Sequence, residues 1–230
     1  MDRRCFTQWC SGAVLAQGFA SWAAPIEDYA SIALVHPDGA PLKASEVGTD
    51  EAMVFAYPLK GIPCYLINLG DRKSSTQTFT SPDDGDYTNP PGVGPKGNLV
   101  AFVAICTHQL SYPTPVASYL RYAAGGSELG GGPGRIVCCA HGSVYDPAQG
   151  AARVSGPTQN PLMPVRLSHD TATDQLSATG AVGRKFFERF FQNYKGELIE
   201  RFGPGVYRQE VQDSAVAVPL STYSRQVPAC

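Results

Sequence analysis

Residues 106–108 read Cys-Thr-His, and residues 138–145 read Cys-Cys-Ala-His-Gly-Ser-Val-Tyr. In each stretch a histidine follows a cysteine by two or three residues, the close spacing of a metal-binding loop. One cysteine and one histidine from each stretch make a set of two thiolates and two imidazoles. Such a set can hold a zinc ion. It can also hold a [2Fe–2S] cluster in which the thiolates bind one iron and the imidazoles bind the other.

The surrounding residues favour the cluster over zinc. Zinc sites with two cysteines and two histidines usually group a Cys pair and then a His pair on a helix, whereas each loop here carries one of each. Both loops follow apolar, strand-like runs, at residues 98–105 and 135–137. Ser143 and Tyr145 add hydroxyl donors close to the site. A cluster uses such donors because hydrogen bonds to sulfur stabilise its reduced, more negative state.

With these motifs, residues 40–180 resemble the soluble domain of Rieske iron–sulfur proteins of the cytochrome bc type. The resemblance implies one [2Fe–2S] cluster per chain, with hydrogen bonds from Ser143 to a bridging sulfide and from Tyr145 to a cysteine sulfur. It also implies that both ligand histidines keep a free ring nitrogen, which couples proton uptake to electron uptake. The implied metal ligands are Cys106, His108, Cys138 and His141. Residues 61–67, 156–162 and 174–180 resemble a strand, the proline loop and the closing strand of the same family.

The sequence also departs from the family pattern. The family usually carries two more cysteines, which form a disulfide between the cluster loops, but the matching positions here are Ser111 and Ala140. Gln109 and Leu110 stand where quinol-oxidising members usually have Leu-Gly. The segment 109–137 between the motifs is long and glycine-rich. These departures fall on the surface that would meet quinol, so they weaken the expectation of a quinol substrate more than that of a cluster.

The composition limits the class of protein. The chain has 230 residues, a net charge of −2 and only 17% charged residues. It therefore lacks the basic surface that nucleic-acid binding requires. It contains 24 glycines and 19 prolines, and the short apolar runs between them indicate strands joined by turns.

Three cysteines outside the N-terminal segment are not predicted ligands: Cys64, Cys139 and Cys230. We interpret Cys64 as a small buried hydrophobic residue in a strand, as free cysteines often are. A disulfide among the three is an alternative in an oxidising compartment, but a sequence does not give the pairing.

The first 25 residues are typical of a targeting segment. Arg3 and Arg4, followed by Phe6, resemble a twin-arginine export signal, and a modest apolar stretch covers residues 10–22. A general secretory signal is the plainer alternative. An uncleaved membrane anchor is a third, although the stretch is shorter than the roughly 20 residues of a span. We therefore expect a location on the periplasmic side of the bacterial inner membrane, either anchored or soluble after export.

The predicted fold is mainly β: an antiparallel β-sandwich of the Rieske type, with a small cluster-binding subdomain and a C-terminal helical extension. The predicted domains are a signal or anchor at 1–25, the Rieske domain at 26–180 and the extension at 181–230. The cluster-binding subdomain is expected at about 98–165. Residues 71–97 are predicted to form a polar, proline-rich loop.

Residues 183–202 carry apolar side chains at helical spacing and end at Gly203-Pro204, which predicts one amphipathic helix. It can pack on its own sheet, or it can dock a partner subunit or a membrane surface. The apolar residues are Phe186, Phe187, Phe190, Phe191, Tyr194, Leu198, Ile199 and Phe202. A late strand is predicted within residues 216–223.

These features lead to an electron-transfer function. The leading hypothesis, implied by the resemblance, is the redox subunit of a quinol–cytochrome c oxidoreductase, which accepts an electron from quinol and passes it to a cytochrome b/c-type subunit. The alternative is the small Rieske subunit of a periplasmic molybdenum oxidase similar to arsenite oxidase, which relays electrons to or from its large subunit without touching substrate. A ferredoxin for an oxygenase is disfavoured by Arg3, Arg4, Ser143 and Tyr145. A zinc-binding structural module is the fourth hypothesis.

Overall fold

The structure is a computed structural model that describes residues 26–230. The predicted signal or anchor at 1–25 lies outside the described residues. Fourteen strands lie in the described part of the chain. They are β1 (Glu27–Val35), β2 (Met53–Ala56), β3 (Pro63–Asn68), β4 (Thr78–Ser81), β5 (Gly85–Thr88), β6 (Leu99–Val103), β7 (Leu120–Ala123), β8 (Arg135–Cys138), β9 (Ser143–Asp146), β10 (Ala152–Ser155), β11 (Pro164–Asp170), β12 (Gln175–Ala181), β13 (Ser214–Val216) and β14 (Val218–Pro219).

The strands form one large and two small sheets, which confirms the predicted mainly β, antiparallel fold. The large sheet has the order β13-β1-β12-β11-β6-β3-β2-β14. Its pairs are antiparallel except for β13 with β1. Only Ala217 separates β13 from β14, so residues 214–219 join the two edges of this sheet. Strands β10-β9-β8-β7 form a second sheet, which spans residues 120–155.

Strand β6 shows why the run at 99–105 is apolar throughout. Its five residues are all buried, because both faces of the strand are covered. Leu99, Ala101 and Val103 face the main core, whereas Val100 and Phe102 belong to a second core that also contains residues of the four-stranded sheet. The second core therefore joins the small sheet to the large one, and β6 leads directly into the first cysteine–histidine loop.

The segment 71–97 was predicted to be a loop, but part of it is a hairpin. It contains the hairpin of β4 and β5, paired from Thr78 with Thr88 to Ser81 with Gly85. Gly85 has a φ of 84°, a conformation that glycine adopts readily. The Asp84-Gly85 pair is a known hairpin-turn signal, and it was present in the sequence.

The predicted single helix at 183–202 is instead two helices. They are α1 (Arg184–Asn193) and α2 (Lys195–Phe202), and a third, α3 (Leu220–Tyr223), follows β14. The break lies at Tyr194, whose φ of −110° and ψ of 20° are not helical. Phe186, Phe187, Phe190 and Phe191 are all buried in the main core. The aromatic face thus packs within its own domain, the first of the two alternatives.

No helix in residues 26–230 is long and apolar enough to cross a membrane.

Candidate metal centre

The two cysteine–histidine loops fold in the same way. In the first, the amide of Leu110 donates to the carbonyl of Cys106 at 2.8 Å; in the second, the amide of Gly142 donates to the carbonyl of Cys138 at 2.8 Å. Each turn ends in a residue with positive φ, 59° at Leu110 and 80° at Gly142. The repeated turn sets a cysteine at the base of each loop and a histidine on its outer side.

The strands position both loops at one end of the second core. The first loop follows β6 and is closed by a hydrogen bond from the Cys106 amide to the Ser111 carbonyl at 2.8 Å. The second loop connects β8 to β9, in which Cys138 pairs with Ser143. The proline loop, residues 156–162, packs closely against this second loop. A Cβ atom on Gly156 would lie only 2.1 Å from the Gly142 carbonyl oxygen. Only glycine permits this approach.

The two cysteines face each other in the interior. Cys106 and Cys138 are free thiols, 1% and 0% exposed. A hydrogen bond from Cys138, supported by one from Tyr145, lowers the pKa of Cys106 well below that of an ordinary thiol. The pKa of Cys138 is raised because its thiol proton is held between the two sulfurs and because it is buried. The pair therefore favours one thiolate even before metal is bound, and thiolate is the form that binds metal.

The two histidines lie side by side at the outer end of the site. The ring centroids of His108 and His141 are 5.1 Å apart, with the rings at 81° to each other. The Nδ1 atom of His108 is buried and has no hydrogen-bond partner among the described residues. The rest of the His108 ring is partly exposed, and His141 is exposed. A buried imidazole nitrogen without a partner is what a missing ligand on that atom would leave.

Two hydroxyl side chains, those of Tyr145 and Ser143, lie beside the thiol of Cys106. Tyr145 Oη lies 3.2 Å from Cys106 Sγ and 3.3 Å from the Thr107 amide nitrogen. Ser143 Oγ is buried and has no hydrogen-bond partner within residues 26–230, although it is close enough to Cys106 to help lower the pKa of that thiol. Burial and the nearby Cys106 raise the pKa of Tyr145, so its hydroxyl stays protonated and can donate.

The residues that hold these groups in place were not predicted from the sequence. Thr107 Oγ1 contacts Tyr145 Oη at 3.2 Å and Thr158 Oγ1 at 2.8 Å, and it donates to the Asn160 carbonyl at 2.8 Å. This network ties the proline loop to the first cluster loop. Thr107 stands inside the Cys-Thr-His motif, so its position was a signal, but its partners lie 38 to 53 residues away and could not be paired from sequence.

The donor set fits a two-iron cluster. It consists of two thiols, two imidazoles and two hydroxyls, with unpartnered buried atoms on His108 and Ser143. Within residues 26–230, no three His, Cys, Asp or Glu side chains converge as they would on a single metal ion. Two protein ligands on each of two irons do not require such a group of three.

Comparison with known proteins agrees with this geometry. Residues 87–169 match the family model of the Rieske [2Fe–2S] domain. The chain contains a Rieske domain. Such a domain binds a [2Fe–2S] cluster and transfers electrons, which decides between the zinc and iron–sulfur hypotheses. The match spans both cysteine–histidine loops, the second half of β5, all of β6 to β10 and nearly all of β11.

A solved structure is also similar to this chain. It is the soluble domain of the Rieske protein II (soxF) from Sulfolobus acidocaldarius, with 26% sequence identity and a TM-score of 0.48. The similarity covers 66% of this chain and 78% of that one.

A disulfide lies beside the site, between Cys139 and Cys230. A disulfide among Cys64, Cys139 and Cys230 was one alternative from the sequence, which did not give the pairing. Cys64 is free and fully buried in β3, as predicted, and its thiol donates to the Tyr57 carbonyl at 3.0 Å.

Proposed function

We propose that this Rieske protein accepts an electron from quinol and passes it to a cytochrome subunit of a bc-type complex. We place it on the periplasmic side of a bacterial inner membrane, in line with the export signal that Arg3 and Arg4 resemble. The observation that carries the proposal is the exposure of the histidine edge of the site. His141 is exposed and His108 is partly exposed, whereas both cysteines are buried. Anything that docks on this end of the domain meets the imidazoles first.

In this proposal Cys106 and Cys138 hold one iron, and His108 and His141 hold the other. The cluster supplies a one-electron acceptor when it is bound. The buried Nδ1 of His108 is the atom suited to ligation, because it faces the interior without a partner. The Nε2 atom of the same ring is then left on the outer side. In the form in which Nε2 has lost its proton, it could accept a proton from a quinol hydroxyl. Quinol oxidation releases both protons and electrons, so a site that takes both is suited to it.

The hydroxyl groups of Tyr145 and Ser143 support a high reduction potential for the cluster. Tyr145 donates toward Cys106, and Ser143 is unpartnered beside it. Both can stabilise the more negative reduced state through hydrogen bonds to sulfur. A high potential is what an acceptor of quinol electrons needs.

The experiment is a redox titration of the purified protein at several pH values, followed by reduction with a soluble quinol analogue. If the outer imidazole nitrogens take up a proton with the electron, the midpoint potential falls by up to about 59 mV per pH unit for one proton and one electron. A potential that does not change across the neutral and alkaline range would contradict the proposal, and so would failure of the quinol analogue to reduce the protein.

The second candidate is a relay subunit of a periplasmic molybdenum oxidase. The first cluster loop favours it, since the exposed polar side chain of Gln109 lies beside His108, where quinol-oxidising relatives are expected to carry leucine. Purifying the native complex separates the candidates. Stoichiometric haem supports the bc-type proposal, whereas stoichiometric molybdenum with no haem supports the relay.

A further inference from the structure

The C-terminal tail, residues 224–230, lies against the second cluster loop. Cys230 is bonded to Cys139, which directly follows the proposed ligand Cys138. On its other side Cys139 is held by the main chain, since its amide donates to the Tyr119 carbonyl at 2.6 Å. The residue next to the ligand is therefore fixed from two directions.

Hydrogen bonds hold the tail along the edge of the cluster-binding sheet. The Ser118 amide donates to the Gln226 carbonyl at 2.9 Å, and the Gln226 amide donates to the Val116 carbonyl at 3.2 Å. The carbonyl of Cys230 accepts from the Glu128 amide at 2.9 Å. The tail is thus ordered before it reaches the disulfide, and it can transmit support from the body of the domain to the loop.

Within residues 26–230, the second loop has few attachments other than its base and the contact of Gly142 with Gly156. Cys138 is buried, but Cys139 is only half-buried, and both Ala140 and His141 are exposed. A disulfide to the first loop at Ser111 and Ala140 is impossible, because neither residue has a thiol. The loop that carries one thiolate and one imidazole ligand therefore depends on what touches Cys139.

We propose that the C-terminal tail is a covalent brace for the second cluster loop, and that the Cys139–Cys230 disulfide keeps the loop closed around its metal. The inference rests on the proposed cluster site, and it makes Cys139 and Cys230 positioning residues rather than ligands. Breaking the disulfide would leave all four ligands and both hydroxyl donors in place but would let the loop open more often. Cluster loss, not cluster assembly, is the step that should change.

The main test compares Cys230→Ser with the matched variant Ala229→Ser. The first removes the disulfide without altering the loop, and the second adds a hydroxyl at the neighbouring tail residue and keeps the disulfide. Iron and labile sulfide in the unaltered protein are measured first, so that absence of the cluster is recognised as failure of the proposed function. The rate of cluster loss in the presence of an iron chelator is then followed by visible absorbance. We expect Cys230→Ser to lose its cluster about tenfold faster and Ala229→Ser to match the unaltered protein.

A second arm uses protein that has already folded and assembled. A water-soluble phosphine reduces the disulfide to two thiols and becomes phosphine oxide, with water supplying the oxygen and the two thiol protons. Treatment should speed cluster loss in the unaltered protein but not in Cys230→Ser, which controls for direct attack on the cluster. Amide hydrogen exchange at residues 139–142 should rise in both disulfide-free forms. Equal cluster lifetimes with and without the disulfide would overturn the brace, as would unchanged exchange in the loop.

Discussion

At the scale of single residues, the contacts of Tyr145 and Ser143 set the electrostatics of the site. Tyr145 Oη reaches Cys106 Sγ at 3.2 Å, and Ser143 Oγ lies buried beside the same sulfur. A hydrogen bond to a charged group contributes about 1.5–3 kcal/mol, and its strength grows with the negative charge on the sulfur. Both bonds should therefore favour the reduced state.

We predict that Tyr145→Phe and Ser143→Ala each lower the midpoint potential by tens of millivolts. A shift of this size corresponds to a fraction of the free energy of one such hydrogen bond. The cluster should still assemble, because neither residue is a proposed ligand. The measurement is a redox titration monitored by EPR. The exposed Tyr119 provides the control, and Tyr119→Phe should leave the potential unchanged. Unaltered potentials in both site variants would show that these hydroxyls donate elsewhere.

Leu110 and Gly142 occupy equivalent turn positions but are stabilised differently. Both have positive φ, which costs a residue with a side chain roughly 1–2 kcal/mol. Leu110 is 5% exposed and belongs to the main core, and burying a leucine contributes about 1.5–3 kcal/mol. Burial thus outweighs the strained backbone at Leu110.

We predict that Leu110→Gly destabilises the protein by about 1–3 kcal/mol, because the lost packing exceeds the relieved strain. Gly142→Ala is the matched variant. Its new Cβ would meet Leu129 only at an ordinary 3.6 Å, so it should cost about 1 kcal/mol from the backbone alone. Denaturant unfolding measures both. A more stable Leu110→Gly protein would mean that strain dominates in this loop.

At the scale of elements, the β4–β5 hairpin supplies the cap of α1. Gly183 precedes this helix and has no side chain to cap it, so the Asp84 carboxylate accepts from the Lys185 and Phe186 amides at 2.8 and 3.3 Å. Burial nevertheless raises the pKa of Asp84, and the two amides only partly offset this effect. The carboxylate charge therefore costs stability even though its oxygens are useful acceptors.

The sign of the pH effect follows from that raised pKa. The folded state binds the Asp84 proton more tightly than the unfolded state does, so the contribution of this group to stability falls as pH rises through its raised pKa. Asp84→Asn keeps an acceptor for the Lys185 amide without the charge. We predict that the stability of the unaltered protein relative to Asp84→Asn decreases from acidic to neutral pH. Asp84→Ala should lose about 1 kcal/mol of cap stabilisation. An advantage of the unaltered protein that grows with pH would contradict this account.

Local patterns predicted much of the fold and the site, whereas long-range pairings could not be predicted. The apolar run at 98–105 indicated a strand, and the Cys-Thr-His motif placed the loop after it. The partners of Thr107 and the pairing of Cys139 with Cys230 depend on contacts between distant parts of the chain, which no local pattern encodes. The break at Tyr194 was also missed, because apolar side chains continue at helical spacing across it and the core accepts both helices.

At the scale of the whole molecule, the segment after β12 completes the domain. Strands β13 and β14 join the two ends of the large sheet, and four buried phenylalanines of α1 fill the main core. Tyr112, just beyond the first cluster loop, packs against Phe190 and Tyr194 at centroid distances of 4.8 and 5.0 Å. The C-terminal region therefore supports the cluster loop as well as the sheet.

We predict that truncation after Val182, which leaves β12 whole, prevents stable folding. Four buried phenylalanines at about 1.5–3 kcal/mol each amount to most or all of the roughly 5–15 kcal/mol that stabilises a typical domain. Thermal unfolding followed by circular dichroism measures the effect. Removal of residues 225–230 alone is the control and should leave a folded domain. A truncated protein that melts normally would contradict the role of the extension in completing the domain.

The central claim is that Cys106, Cys138, His108 and His141 hold a [2Fe–2S] cluster. EPR with electron–nuclear double resonance on reduced protein labelled with ¹⁵N-histidine tests it most directly. We predict a Rieske-type signal coupled to two histidine nitrogens, which persists in His36→Gln and His169→Gln and is lost in Cys106→Ala or Cys138→Ala. Stoichiometric zinc without iron, or a cluster signal that shows no histidine coupling, would contradict the account.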